Sequence, residues 1–88
     1  MRQSLDETRE SIIVGGEIRR LSPTLWRLFE LLHRHRGSVV RYDLIASDTG
    51  MAPSLLREHT RRLRKLLDGS QFQLVTHRRL GLELIEHG

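Results

Sequence analysis

The chain of 88 residues has no cysteine, no long apolar run and few aromatic side chains, namely one tryptophan, one tyrosine and two phenylalanines. Without cysteine it can form neither a disulfide framework nor a thiolate metal site. Its apolar runs fall short of the ~20 residues that a membrane span needs. The polar start MRQSLDETRE lacks the apolar segment of a signal peptide. These absences favour a cytoplasmic protein with one small domain and no membrane partner.

Positive charge is in excess, with fifteen lysines and arginines against eleven acidic residues and a formal net charge of +4. The sequence pI is about 11.0. Lys65 is the only lysine, and every other basic residue is an arginine. The planar guanidinium group can donate two parallel hydrogen bonds to a phosphate or a base edge. The composition therefore suits nucleic-acid recognition. Whether the protein binds nucleic acid depends on how the positive charge is distributed along the chain.

The pattern predicts an α+β order of one hairpin, three helices and a second hairpin. Residues 1–10 show no clear period, so we expect a disordered lead followed by a single domain over residues 11–88. Two β-prone runs, Ser11–Val14 and Glu17–Leu21, flank Gly15-Gly16. Two glycines between such runs are a strong signal of a tight hairpin, since both turn positions need positive φ.

The first helix is marked at both ends. Ser22 is a good N-cap and Pro23 suits the first helical position, whereas Gly37 is a typical stop. Apolar residues between them recur at the helical spacing. A second, shorter helix is predicted from about Tyr42 to Ser47, and the small and polar residues of 47–54 predict a loop.

The third helix, residues 53–67, contains the basic stretch LLREHTRRLRKLL. On a helical wheel one side holds Leu56, Thr60, Leu63 and Leu67, flanked by His59 and Leu66. The other side holds Arg57, Glu58, Arg61, Arg62 and Lys65, with Arg64 near the boundary. This face is either an ordinary solvated surface or a surface for a polyanion. The scarcity of acids weakens the first interpretation, because only Glu58 is available to offset the like charges of Arg57, Arg61 and Lys65 at i,i+4 spacing.

The C-terminal segment predicts two strands, Phe72–Thr76 and Leu80–Ile85, on either side of His77-Arg78-Arg79. The second hairpin would therefore carry a basic tip. A basic helix for the major groove combined with a basic hairpin for an adjacent groove is a recurring geometry of DNA docking.

From about Ile12 to Ile85 the chain resembles the OmpR/PhoB-type winged-helix DNA-binding domains, the output domains of many response regulators. LSPTLWRLFELLHRHRGSVV is similar to the first helix of that family and the turn after it. LLREHTRRLRKLL is similar to its recognition helix, and VTHRRLGLEL to its wing. The resemblance implies an α+β winged helix-turn-helix with helix 53–67 in the major groove and the wing, residues 76–80, at the minor groove or the backbone.

The resemblance also implies roles for single residues. Arg62 would read base edges, and His59, Arg61 and Arg64 would contact phosphates. In the wing, Thr76 would contact the backbone and Arg78 would reach the minor groove. With Arg57, and with the neighbouring charges of Lys65 and Arg79, the expected DNA-binding set is Arg57, His59, Arg61, Arg62, Arg64, Lys65, Thr76, Arg78 and Arg79.

The sequence departs from the family pattern in several places. The family usually has four strands before its first helix, whereas this sequence predicts one hairpin. Arg79 stands where glycine is common in the wing. No receiver domain precedes the resemblance within the 88 residues, so we expect a stand-alone domain without control by phosphorylation.

Other chemistry finds little support. His33 and His35 lie two residues apart on a helix and point about 200° away from each other, which argues against a shared metal. His59 is either a histidine at the edge of the core, bonded to the backbone, or a phosphate donor. The sequence contains no glycine-rich phosphate loop and no catalytic arrangement. We therefore expect no enzyme activity, no metal and no cofactor.

The leading hypothesis is sequence-specific binding of double-stranded DNA by a small transcriptional regulator of bacterial or phage type, at the nucleoid when bound. The alternative is a winged-helix module that binds a protein, such as an RNA polymerase subunit or another regulator, with little affinity for DNA. Structured RNA is a third option. A contact with RNA polymerase and dimerisation on DNA stay open at this point.

Overall fold

The computed structural model of the protein describes residues 5–6 and 10–88. The other residues of the expected lead, 1–4 and 7–9, lie outside the described part. The elements within it are β1 (Leu5–Asp6), β2 (Ser11–Val14), β3 (Glu17–Arg20), α1 (Pro23–Arg34), β4 (Val39–Arg41), α2 (Tyr42–Thr49), α3 (Pro53–Leu66), β5 (Phe72–His77) and β6 (Gly81–Glu86). This order of strands, three helices and a final hairpin confirms the predicted α+β architecture.

The N-terminal sheet is antiparallel, with the order β1-β2-β3. Gly15 and Gly16 join β2 to β3 with φ of 57° and 85°, which confirms the glycine turn. Leu5–Asp6, within the lead that was expected to be disordered, form the short strand β1. They pair with Ile12 and Ser11, because the outer edge of β2 offers free backbone groups. A strand of two residues is too short to leave a period in the sequence.

Helix α1 has the predicted N-terminus. The Ser22 hydroxyl accepts a hydrogen bond from the Leu25 amide at 3.2 Å, and Pro23 occupies the first helical position. The helix ends at Arg34, and Gly37, with φ of 86°, turns the chain towards β4. The Gly37 amide donates to the carbonyl of Leu84 at 2.9 Å, which fixes this turn to the C-terminal sheet.

The connection between α2 and α3 is shorter than predicted. The loop expected at 47–54 is wrong, because α2 continues to Thr49 and only residues 50–52 separate the two helices. The Thr49 hydroxyl donates to the Ile45 carbonyl at 2.6 Å, so the last polar side chain of α2 is satisfied within the helix. Gly50 then ends α2 in the left-handed conformation, with φ of 70°.

The C-terminal sheet has the order β4-β6-β5 and is antiparallel throughout. Its central strand, β6, begins at Gly81, which lies opposite Arg41 of β4. A Cβ atom at Gly81 would overlap the carbonyl group of Val40. Glycine is therefore required where the wing meets β4, because the two backbones approach too closely for a side chain.

The core lies between the helices and the two sheets. Leu28, Phe29, Ile45, Leu63 and Leu84 are completely buried within it. The Phe29 ring meets the Phe72 ring of β5 edge to face, with centroids 5.3 Å apart. The core thus joins α1, α2, α3 and β6, and the Phe29–Phe72 contact connects α1 to the C-terminal hairpin. None of the described helices is long and apolar enough to span a membrane.

Candidate nucleic-acid interface

Helix α3 separates its apolar and basic residues as the wheel predicted. Leu56, Thr60, Leu63 and Leu67 are all buried. Thr60 fits this apolar face because its hydroxyl donates to the Leu56 carbonyl at 2.8 Å and leaves no unpaired donor in the core. The arginines and the lysine of the helix are all exposed on the other side. The packing of α3 therefore leaves its basic face free to meet a partner.

The basic face of α3 and the wing line one groove, with a volume of about 800 Å³. Residues of α2 and β6 also line it, including Tyr42, Asp43 and Leu82. Six residues of the predicted binding set line the groove, three from α3 and three from the wing: Arg57, Arg61, Arg64, Thr76, Arg78 and Arg79. The other three, His59, Arg62 and Lys65, lie outside it. The structure thus divides the predicted set into a groove and a neighbouring flank of α3.

Arg64 connects the helix to the wing. Its Nη2 donates to the Thr76 hydroxyl at 2.7 Å, and its Nε donates to the Leu74 carbonyl at 3.3 Å. Both acceptors belong to β5. The phosphate contacts expected of Arg64 and Thr76 stay predictions. In this structure the two side chains bind each other and link α3 to the wing.

Glu58 binds two arginines on the outer face of α3. Its carboxylate accepts from Arg61 Nε at 3.2 Å and from Arg61 Nη2 at 2.7 Å. It also accepts from Arg62 Nε at 3.0 Å. The hydrogen bond from Arg61, and to a smaller extent the one from Arg62, lowers the pKa of Glu58. The hydrogen bond with Glu58 raises the pKa of Arg61. Glu58, the only acid available to offset the like charges of α3, thus pairs with Arg61 at i,i+3 and with Arg62 at i,i+4.

His59 is half-buried at the edge of α3. Its Nδ1 atom is buried and finds no hydrogen-bond partner within the part of the chain that the structure describes. The backbone hydrogen bond that one interpretation of His59 required is thus absent at this atom. A phosphate contact by His59 stays a prediction.

The wing has a basic and backbone-strained tip. Arg78 and Arg79 are exposed in the turn that joins β5 to β6. Arg79 adopts φ of 64°, a left-handed conformation that disfavours side chains other than glycine. Behind the tip, His77 Nε2 lies 2.7 Å from Glu83 Oε1 across the two strands. Arg79, at the position where glycine is common in the wing, thus keeps the backbone conformation typical of glycine and adds a positive charge.

Arg19 is a residue of this region that the sequence analysis missed. It lies on β3, and its Nη1 donates to the carbonyls of Leu66 at 2.9 Å and Asp68 at 2.5 Å, at the end of α3. A cation here satisfies two of the free carbonyls and opposes the negative end of the helix dipole. No local pattern signals this contact, because 47 residues separate Arg19 from Leu66.

No group of three histidine or acidic side chains that could hold a metal occurs in residues 5–6 and 10–88. The His33 ring stacks on Phe29 with centroids 5.6 Å apart and meets Phe72 edge to face. His35 caps the end of α1. The two histidines of the HRH sequence thus have structural surroundings of different kinds.

The helices, the groove and the terminal hairpin together define a winged helix-turn-helix fold. Solved structures share it. The DNA-binding domain of CpxR from E. coli matches with a TM-score of 0.76 and 24% identity, over 100% of this chain and 97% of that chain. The DNA-binding domain of the response regulator AdeR, in complex with an intercistronic region, gives 0.77 and 16%, over 98% and 97%. The Klebsiella pneumoniae RstA DNA-binding domain, in complex with the RstA box, gives 0.75 and 24%, over 93% and 89%.

No protein-family model matches the chain, and no curated protein matches it significantly. The similarity to the three solved structures, at identities between 16% and 24%, confirms the winged-helix fold that the sequence resemblance implied.

Proposed function

We propose that this protein binds double-stranded DNA in a sequence-specific manner and acts as a small transcriptional regulator. Helix α3 enters the major groove, and the wing lies along the adjacent minor groove or backbone. The observation that carries the proposal is the groove of the protein between α3 and the wing. Arginines from these two separate elements line it.

The composition of the groove suits a phosphate backbone. Five arginines line it, Arg57, Arg61 and Arg64 from α3 and Arg78 and Arg79 from the wing, and Asp43 is the one acid among the lining residues. Like charges repel each other in the free protein, so a cluster of this kind is stabilised by a polyanion that fills the space between them. Each groove of a DNA duplex has phosphates along both of its edges. A helix and a wing together can contact the phosphates on both edges.

The solved structures of the same fold add support. Two of the three are complexes whose partners are an intercistronic region and the RstA box, and all three are DNA-binding domains. In this fold the second helix of the helix-turn-helix docks on DNA. Here that helix is α3, whose basic side chains are exposed and lie outside the core.

The proposal is tested by removing charge from the groove and from a matched site. Arg57→Ala combined with Arg78→Ala removes one arginine from each side of the groove. Arg20→Ala combined with Arg27→Ala removes the same charge from exposed positions on β3 and α1. Affinity for a random duplex is measured by fluorescence anisotropy at several salt concentrations.

The groove pair should weaken binding about tenfold or more and reduce the slope of log K against log salt by about two, since two cations next to the duplex are lost. The control pair should change the slope by much less. Equal effects of the two pairs would show that only net charge matters and would contradict the proposed groove. Absence of binding at low salt by the unmodified protein would favour a protein partner.

A further inference from the structure

Glu58 is the one acidic residue of α3, on the face that otherwise carries arginine and lysine. An acid at this place repels phosphates, so its presence opposes the general affinity for DNA that the rest of the face provides. Stability does not account for it either, because exposed ion pairs contribute little to folding. The geometry of its contacts with Arg61 and Arg62 indicates a different role.

The carboxylate holds the two arginines in different ways. Arg61 presents the side of its guanidinium group and donates from Nε and Nη2, one hydrogen bond to each carboxylate oxygen. Arg62 donates only from Nε, at 3.0 Å. The Nη1 and Nη2 atoms of Arg62 make no hydrogen bond to any part of the chain at residues 5–6 or 10–88. Arg62 is thus held at its base while its terminal edge stays available.

That terminal edge is the one that reads guanine. The two outer N–H groups of an arginine match the O6 and N7 acceptors of guanine in the major groove. An arginine that is not held could turn the same edge to a phosphate, because its long side chain has many rotamers. A carboxylate at Nε restricts those rotamers and discourages the phosphate alternative by its own charge.

We propose that Glu58 is a specificity-determining residue that positions Arg62 for a guanine base and keeps Arg61 out of base contacts. This inference rests on the proposed function, since it needs α3 in the major groove. Loss of Glu58 then has two opposite effects. Binding to random DNA becomes stronger, because a negative charge is removed, and discrimination among sequences becomes weaker, because Arg62 is no longer held.

The experiment compares variants of the full chain in selection from a random duplex pool, with affinity for random duplex measured alongside. Glu58→Ala removes both the charge and the acceptor, whereas Glu58→Gln removes the charge and retains one acceptor oxygen. Asp43→Ala is the matched control. Asp43 lines the groove and lies 3.8 Å from Arg41, so its loss removes the same charge without a contact to Arg62.

Glu58→Ala should lower the preference for guanine at the Arg62 position about tenfold, within the range that one bidentate base contact provides. It should also raise affinity for random duplex. Glu58→Gln should raise random affinity as much and lose less of the preference. Asp43→Ala should raise random affinity and keep the preference. In an Arg62→Ala background, Glu58→Ala should have no further effect on the preference.

Two results would overturn the assignment of Glu58. One is an unchanged guanine preference in Glu58→Ala, and the other is an equal loss of preference with and without Arg62. Either result leaves DNA binding itself intact. If the unmodified protein selects no sequence from the pool, the proposed function fails first, and the positioning role of Glu58 fails with it.

Discussion

Arg64 of α3 donates a hydrogen bond of 2.7 Å to the hydroxyl of Thr76 in the wing. A second bond, to the Leu74 carbonyl, lies beside it at 3.3 Å. The two elements that form the walls of the basic groove are therefore fixed to each other before any DNA arrives. Pre-organisation of this kind reduces the entropy that binding must overcome.

The Arg64–Thr76 contact can be separated from the charge of Arg64. Arg64→Ala should weaken binding to all sequences alike and reduce the salt slope by about one. Thr76→Val removes the acceptor and keeps the charge, so it should leave the slope unchanged while the amides of β5 exchange hydrogen faster. Salt titrations and hydrogen exchange provide the two measurements. Weaker binding of Thr76→Val to all duplexes at an unchanged slope, without faster exchange in β5, would show that Thr76 itself contacts the DNA backbone.

Arg62 and Lys65 are cations on the same flank of α3, outside the groove, with different expected roles. Arg62→Ala should relax base preference at one position and cost about 1–3 kcal/mol of binding free energy on the selected sequence. Lys65→Ala should weaken binding to all duplexes equally and by a smaller amount, as expected of a residue that contacts phosphates. Competition between selected and random duplexes measures both. Identical competition profiles for the two variants would contradict the assignment of base reading to Arg62.

Arg19 should matter for folding rather than for recognition. Arg19→Ala removes the donor that satisfies two carbonyls at the end of α3, and we expect the free energy of unfolding to fall by about 1–2 kcal/mol. Arg20→Ala, at the exposed neighbouring position, should change it by less than about 0.5 kcal/mol. Urea unfolding followed by circular dichroism compares the two. Equal losses would mean that the contacts with Leu66 and Asp68 do not stabilise the fold.

Arg79 combines an unfavourable backbone with a favourable charge. Arg79→Gly should relieve the left-handed strain and stabilise the fold by about 0.5–1 kcal/mol, since glycine adopts positive φ freely. The same change should weaken binding to DNA and lower the salt slope by about one. The matched change Arg78→Gly removes the same charge at a residue without positive φ, so it should bring no gain in stability. A gain of equal size at both positions would contradict the strain at Arg79.

Gly81 tests the close approach between the wing and β4. Gly81→Ala should destabilise the protein by about 2–3 kcal/mol, because the new Cβ overlaps the backbone of Val40 and one strand has to move. Gly88→Ala, at a position with open space around it, is the control. Thermal unfolding measures both. A Gly81→Ala variant as stable as the control would show that the β4–β6 register can shift without cost.

Local signals predicted most of the architecture. Ser22 and Pro23 mark the start of α1, and Gly15-Gly16 mark the first turn, because capping and positive φ depend on residues that are adjacent in the chain. The buried side of α3 followed from the helical period alone. The loop at 47–54 was predicted too long, since its small residues gave no sign that Thr49 bonds back into α2.

The sequence predicted which residues form the candidate DNA-binding site, but it did not predict how they are placed relative to one another. Charge and spacing identified the arginines of α3 and the wing, yet they did not show that six of the predicted residues share one groove and that Arg62 lies outside it. That division depends on how α3 and the wing lie relative to each other in three dimensions, where Arg64 contacts β5. The contacts of Arg19 with the end of α3 depend on the tertiary structure. The hydrogen bonds of Glu58 with Arg61 and Arg62 depend on side-chain rotamers, and sequence periodicity predicts neither.

The most direct test of the central claim is the salt dependence of binding to random duplex DNA by the unmodified protein. If the groove arginines contact phosphates, log K should fall linearly with log salt with a slope of about −4, and duplex DNA should be preferred over structured RNA. A protein that binds no duplex at low salt, or binds it with a slope near zero, would contradict the proposal that this winged helix reads DNA.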